Sequence, residues 1–292
     1  MRRVGLLFAC ALLACAMLQM AQLSMHWKVP SETPARGSFA ALSLPCLVLT
    51  LNVSNVDPST RSCIPFVAPT FTEQELDFVS PSALAKIRNP MLLESASELS
   101  NNASVNIYMN HARIWRYIAE RWDVALVLEE DAVVPSNSEE VIAQILSSLR
   151  RDDVTNFVVK LIDHWHLYSS EWRTVYDLPA HRVLTCSCRP SVQGSCSAAY
   201  LIDKAAALTL LEHAFPASVH VDVFKHNMGC VEKRIRLYQI SPHLVRMNDR
   251  PSTHLSNEEQ TFRRKYLLVK EVITNLFGSD CQTAAPTAAR TP

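Results

Sequence analysis

Glycine is scarce in this chain. Five glycines in 292 residues leave no Gly-rich loop to cradle a phosphate through backbone N–H groups. That excludes a P-loop and a dinucleotide-binding fingerprint. A net charge is lacking as well: 28 Lys and Arg stand against 28 Asp and Glu. The basic residues are scattered rather than striped, which argues against a nucleic-acid binder. No internal repeat is visible. Charged residues make up 19% and apolar residues 48%, the balance of a globular chain with one membrane segment.

That membrane segment is easily placed. Residues 4–25 are uncharged and about long enough to span a bilayer. Arg2 and Arg3 precede them, and the positive-inside rule keeps that short end cytosolic and sends the rest across. A type II signal anchor is expected. A cleaved signal peptide is the alternative, because Ala14-Cys15-Ala16 resembles a cleavage site. Both readings lead into the secretory pathway, so a Golgi or endoplasmic-reticulum membrane protein with a lumenal domain is expected. Two N-x-S sequons, at Asn52 and Asn102, agree with that compartment. Seven cysteines lie beyond the apolar run: Cys46, Cys63, Cys186, Cys188, Cys196, Cys230 and Cys281. In an oxidising lumen some pair, and an odd number leaves at least one over. Their spacing leaves the connectivity open. His164-Trp165-His166 with Cys186, Cys188 and Cys196 lacks a second CxxC pair, so disulfides are favoured over zinc.

The expected organisation is a cytosolic tail (1–3), the anchor (4–25), a polar stem (26–42), one globular domain (43–280) and a disordered tail (281–292). Within the domain, Leu44 to Val53 reads as the first strand. The spacing predicts a helix over 102–122, with Ile107, His111, Ile114, Trp115 and Ile118 on one face. Val124 to Leu128 is a continuous apolar run, the pattern of a strand buried on both faces. Ser136 and Glu139 form a capping box for a helix through Leu149. Strands are expected over 154–162, 197–202 and 235–240, and helices over 204–215 and 258–277. Alternating strands and helices imply an α/β fold with a central sheet flanked by helices.

Glu129-Glu130-Asp131 follows the buried run directly. In open α/β sheets ligands bind beyond the carboxyl ends of strands. Three adjacent acids at such a place are costly unless a cation or donors offset them. Glu129 and Asp131 are two apart, so in an extended segment they point the same way. They can then share one hard cation, Mn²⁺ or Mg²⁺, which would neutralise a leaving diphosphate. A solvated acidic turn is the plain alternative.

The surrounding residues extend this reading. Residues 110–133 (NHARIWRYIAERWDVALVLEEDAV) resemble the signature of glycosyltransferase family 25, in which a Ser-His helix with a downstream Trp precedes a strand ending in Leu-Glu-Asp-Asp-Val. Residues 197–211 (SAAYLIDKAAALTLL) resemble the family's Ala-Tyr-Leu-Ile-Ser strand and helix. Val221-Asp222 stands where the family places an aspartate. Residues 241–245 (SPHLV) with Ser252 resemble its C-terminal proline-and-serine segment. The order of these four blocks matches over about 43–256. The family includes lipooligosaccharide and procollagen galactosyltransferases. The resemblance implies a GT-A-like domain with a mostly parallel sheet, a UDP-hexose donor (galactose foremost), a glycan or glycoprotein acceptor, a divalent metal and inversion at the anomeric carbon. Three features depart from the pattern: the family's middle aspartate is Glu130, its Ser-His is Asn110-His111, and its upstream Gly-Cys is missing, with Val105-Asn106-Ile107 in that region.

Roles follow from both lines. Glu129 and Asp131 are the metal residues and Glu130 a donor contact. Asp222 is the expected base for the acceptor hydroxyl or an acceptor contact, with a surface carboxylate as the plain alternative; His220, Asp222 and Phe224 lie on one face of an alternating segment. His111 is a catalytic-site residue or a satisfied core histidine. Tyr200 packs against a base or sugar, or in the core. The rival reading from another class is an inactive, glycosyltransferase-like lumenal adhesion or chaperone protein, motivated by Glu130. A hydrolase with paired carboxylates fits less well, because its acids belong on separate elements.

Overall fold

The computed structural model describes residues 42–50, 52–68, 78–88, 99, 102–162, 172–186 and 196–248. The anchor segment 4–25, nearly all of the stem, the 258–277 helix, the tail, Ser252 and His164 to His166 lie outside the described residues. Among the described residues no helix is long and apolar enough to cross a membrane.

The chain alternates strands and helices, as the periodicity predicts. In order they are β1 (Cys46–Thr50), β2 (Ile64–Val67), α1 (Pro81–Arg88), α2 (Asn102–Arg121), β3 (Val124–Glu129), β4 (Ala132–Val133) and α3 (Ser138–Arg151). Then follow β5 (Phe157–Lys160), β6 (Trp172–Asp177), β7 (Arg182–Cys186), β8 (Ala199–Asp203), α4 (Lys204–His213), α5 (Val221–His226), β9 (Arg236–Ser241) and β10 (Arg246–Met247). Eight strands form one sheet in the order β2-β1-β3-β8-β5-β9-β7-β6, and β4 pairs with β10 apart from it.

The sheet is mostly parallel in strand direction. β1, β2 and β3 run together, as do β5 and β9. β8 is antiparallel to both β3 and β5 and sits between them. At the far edge β7 runs against β9 and β6. Two of the eight strands, β7 and β8, are therefore reversed, a detail the apolar run at 197–202 does not carry. A strand buried on both faces reads the same in either direction.

One face carries Val48, Leu126, Leu128, Leu201 and Val159, packed with Val141, Ile142, Ile145 and Leu149 of α3. The other face meets α2, which packs against α4. On α2 His111, Ile114, Trp115 and Ile118 are fully buried, and Ile107 is half-buried. Two expectations about local structure change. The helix after β4 starts at Ser138 rather than behind Ser136, and its N-cap Asn137 makes no side-chain cap bond. Glu139 and Glu140 in its first turn favour the helix dipole instead. Residues 221–224 are not extended: α5 begins at Val221, directly behind His220, and continues as a π turn over Asn227–Val231. That turn approaches β9 closely at Gly229, where a Cβ would stand 2.3 Å from Leu237 Cβ. Two disulfides are present among the described residues. Cys46–Cys63 joins β1 to the start of β2, and Cys186–Cys230 joins β7 to the π turn. Cys196 is free. The sequon residues Asn52 and Asn102 are both exposed, while Ser104 of the second sequon is buried.

Asp203 fastens the centre of this arrangement. Its carboxylate accepts from the N–H of Ala206 (2.9 Å), Phe157 (2.9 Å) and Asn156 (2.7 Å). It thus caps α4 while holding the start of β5. Asp203→Ala removes a cap and strands two further donors, so a loss of about 3 kcal/mol is expected. Urea denaturation measures it; a loss within about 0.5 kcal/mol, the range of an ordinary surface change, would refute this role.

Candidate functional site

The acidic triplet closes β3 at the switch in strand order. The chain passes from β1 outward to β2, then returns to place β3 on the other side of β1. A crevice beyond the carboxyl ends of two such strands is the usual ligand site of an open α/β sheet. Here the crevice is bridged by the Thr50 hydroxyl at the end of β1, which donates to Glu130 Oε2 at 2.6 Å. β3 ends at Glu129, and Glu130 and Asp131 form the turn into β4. The two-residue alternation that would align Glu129 with Asp131 therefore stops at Glu129.

Glu129 is held from beneath. His111 Nε2 lies 3.1 Å from Glu129 Oε1, His111 Nδ1 lies 2.8 Å from the Tyr200 hydroxyl, and Trp115 Nε1–H donates to that hydroxyl at 3.0 Å. The indole fixes the proton positions along these hydrogen bonds. An indole N–H only donates, so the Tyr200 oxygen accepts from Trp115 and its own proton goes to His111 Nδ1. That leaves the His111 proton on Nε2, where it donates to the Glu129 carboxylate. Burial, followed by the Lys225 charge, pushes the His111 pKa well below its ordinary value, so this single-proton form is the resting one. Tyr200 is fully enclosed, and burial raises its pKa far above the ordinary phenol value. It supports Glu129 through His111; its ring is covered by Lys225, whose Nζ stands 3.5 Å from the ring centroid. The core role, rather than contact with a base or sugar, describes its surroundings.

The other blocks gather at the same end. Asp222 is half-buried in the first turn of α5. Its Oδ2 accepts from Cys196 N–H at 3.1 Å and its Oδ1 from Val223 N–H at 2.9 Å. It ties the segment entering β8 to α5. Burial, with the Glu129 carboxylate second, pushes the Cys196 thiol up to about 12, so it is not a nucleophile at neutral pH. Beyond β9, the N–H groups of Leu244 and Val245 reach Leu161 O (3.0 and 3.2 Å), and Asn248 N–H reaches Asp131 O at 2.8 Å. β10 lies antiparallel to β4, with Met247 opposite Ala132. His111, Tyr200, Asp222 and residues 244–248, far apart in sequence, thus converge around the end of β3.

Two lysines complete the site and were not singled out by sequence reasoning. Lys160 ends β5 and is 3% exposed; Lys225 in α5 is 1% exposed. A lysine closing a buried apolar strand, or inside an apolar helix, is rare unless paired, and that was the available signal. Burial lowers Lys225 to about 7; Glu129 and Asp222 oppose the shift and Lys160 adds to it.

A divalent cation can be tested against these donors. Among the described residues no three His, Cys, Asp or Glu side chains are gathered to hold a metal. Mg²⁺ is also held by one or two carboxylates together with substrate phosphates, and in that mode Glu129 or Asp131 would be the carboxylate supplied here. A cavity of about 450 Å³ lined by Val124, Leu146, Leu149, Phe157 and Lys204, among others, opens at the other end of β3 and is separate from this site.

No family model matches the chain, and no curated protein matches it. Among solved structures it is similar to mannose-1-phosphate geranyltransferase from Thermus thermophilus. The identity is 16% and the TM-score 0.26, over 68% of this chain and 73% of that one. A likeness at that level carries no argument about chemistry.

Two outcomes are expected here. Tyr200→Phe leaves the Trp115 N–H and His111 Nδ1 without their partner, costing about 1–3 kcal/mol. The His111 proton should stay on Nε2, where the Glu129 carboxylate still accepts it; ¹⁵N NMR of the imidazole reads this directly, and a proton on Nδ1 in the wild type would contradict the directed chain. The second concerns pH. Between about 7, where folded Lys225 titrates, and its ordinary 10.5, the unfolded chain holds the extra proton. Stability contributed by this site should therefore rise with pH across that window. The burial penalty is full below about 7 and relieved above the unfolded value. Comparison of denaturation curves for wild type and Lys225→Met checks this: the variant should lose that slope.

Proposed function

We propose that this chain is a GT-A-like, UDP-sugar-dependent glycosyltransferase. It moves a hexose, with galactose the foremost candidate from the family-25 resemblance, to a hydroxyl of a glycan or glycoprotein. One observation carries the reading: the acidic triplet closes β3 at the strand-order switch, with Glu129 oriented by a buried hydrogen-bond chain. Preorganised charge at a strand end is what a leaving diphosphate and its cation need.

In this reading Glu129 and Asp131 would hold Mn²⁺ or Mg²⁺, which would supply positive charge opposite a diphosphate. Glu130, bridged to Thr50, shapes the donor crevice. The acceptor oxygen attacks the anomeric carbon as the bond to the diphosphate breaks, and UDP leaves with the electron pair. The hydroxyl proton passes to Asp222 as base. The stereochemistry inverts in a single displacement. The enzyme is anchored by residues 4–25 in the Golgi or endoplasmic-reticulum membrane with this domain in the lumen. The two disulfides suit that compartment, and exposed Asn52 suits glycosylation there.

The test is a donor screen on detergent-solubilised full-length protein, reading UDP release with Mn²⁺. One UDP-hexose should turn over. Glu129→Gln and Asp131→Asn should each lower turnover by about 100-fold with circular dichroism unchanged. UDP binding without turnover of any donor would select the inactive adhesion or chaperone alternative. Absence of both binding and turnover would sink the sugar-nucleotide reading itself.

A further inference from the structure

The Lys225 ammonium is enclosed at 1% exposure and makes no hydrogen bond among the described residues. Its recorded contact is the Tyr200 ring, whose π-face attracts a cation but accepts no N–H bond in the ordinary sense. The neighbouring carboxylates are engaged elsewhere: Glu129 Oε1 with His111, and both oxygens of Asp222 with backbone N–H groups. Lys160 lies on the same sheet face. It is the register partner of Tyr200, which is the partner of Val127, two residues before Glu129. Burial makes the Lys225 charge hard to keep and Lys160 adds to this, against the Glu129 and Asp222 carboxylates that favour it. Ser197, at the same end of β8, has a buried hydroxyl with no hydrogen bond among the described residues. A fold that needed only packing at these positions would be better served by Met or Leu.

We propose that Lys225 and Lys160 form a cationic seat for a phosphate-type oxyanion beneath the acidic triplet, one that works without a metal. An ammonium serves phosphate as a compact point charge with three donors, and an arriving anion supplies the acceptor Lys225 lacks. Identifying that anion as the diphosphate of the sugar nucleotide rests on the transferase reading; the seat itself does not.

The experiment uses inorganic pyrophosphate as the probe, on solubilised full-length protein in EDTA, read by thermal shift and titration calorimetry. Wild type should be stabilised. Lys225→Met and Lys160→Met should each bind pyrophosphate about 10- to 100-fold more weakly, the loss of one charge-assisted bond. Without ligand, Lys225→Met should be as stable as wild type or more so, which a structural lysine would not allow. No pyrophosphate shift in wild type, or wild-type affinity in the variants, overturns the seat. Should Lys225→Met fail to fold, Lys160→Met decides alone. Pyrophosphate binding without UDP binding leaves the seat standing and removes the transferase reading. Mn²⁺-dependent turnover with no pyrophosphate binding in EDTA does the reverse.

Discussion

A carboxylate at the end of a strand buried on both faces must be compensated, and the rest of this site is arranged around that need. Glu129 is only 26% exposed. It receives a proton donor from α2 through His111, whose own tautomer is set by Tyr200 on β8 and Trp115 one helical turn on. Placing those partners requires α2 to lie along the sheet face and β8 to run beside β3. The reversed direction of β8 matters for this. It brings the amino end of β8, with Tyr200 and the Cys196–Asp222 tether, to the end of the sheet where β3 and β5 finish.

The same logic separates three adjacent acids into three environments. Glu129 faces His111, Glu130 reaches across the strand-order switch to Thr50, and the Asp131 carbonyl is held by the chain returning through β10. Because the strand stops at Glu129, the strict two-residue alternation does not extend to Asp131. Glu129 is thereby fixed at the strand end while the turn behind it follows the two-residue β4–β10 ladder.

Much of this was legible in the sequence where long apolar periodicity met a boundary. α2, β3, β5, α4 and β9 fall within a few residues of their expected limits, because continuous burial and 3.6-residue spacing each leave a pattern that tertiary context reinforces. The triplet stood out because charge interrupts an apolar run. The direction of β8 was not legible, since a fully buried strand is symmetric to the eye. Nor was α5: alternating Val, Asp, Val and Phe at 221–224 mimics a strand, yet the segment is helical and buries Val221, Val223, Phe224, Lys225 and His226. The Tyr200 contacts follow from convergence in space of α2, β8 and α5, which no local pattern announces. Lys160 and Lys225 were visible as lysines in apolar surroundings, but their shared face depends on the β5–β8 register.

These lysines also bear on how far the site is built for stability. A buried ammonium lowered to about 7 weakens the fold at neutral pH, and a second lysine beside it weakens the fold further. Retaining both beside a half-buried glutamate costs the fold stability, and a cost of this sort persists where function requires it. Asp222 fits the same view. Its two backbone bonds hold α5 against the entry to β8, and so hold Lys225 over Tyr200. Its position therefore matters twice: as a carboxylate beside the crevice and as the tether that keeps the lysine in place. A change at Asp222 acts on both at once. An activity loss there does not by itself identify a base, because the carboxylate and the tether go together.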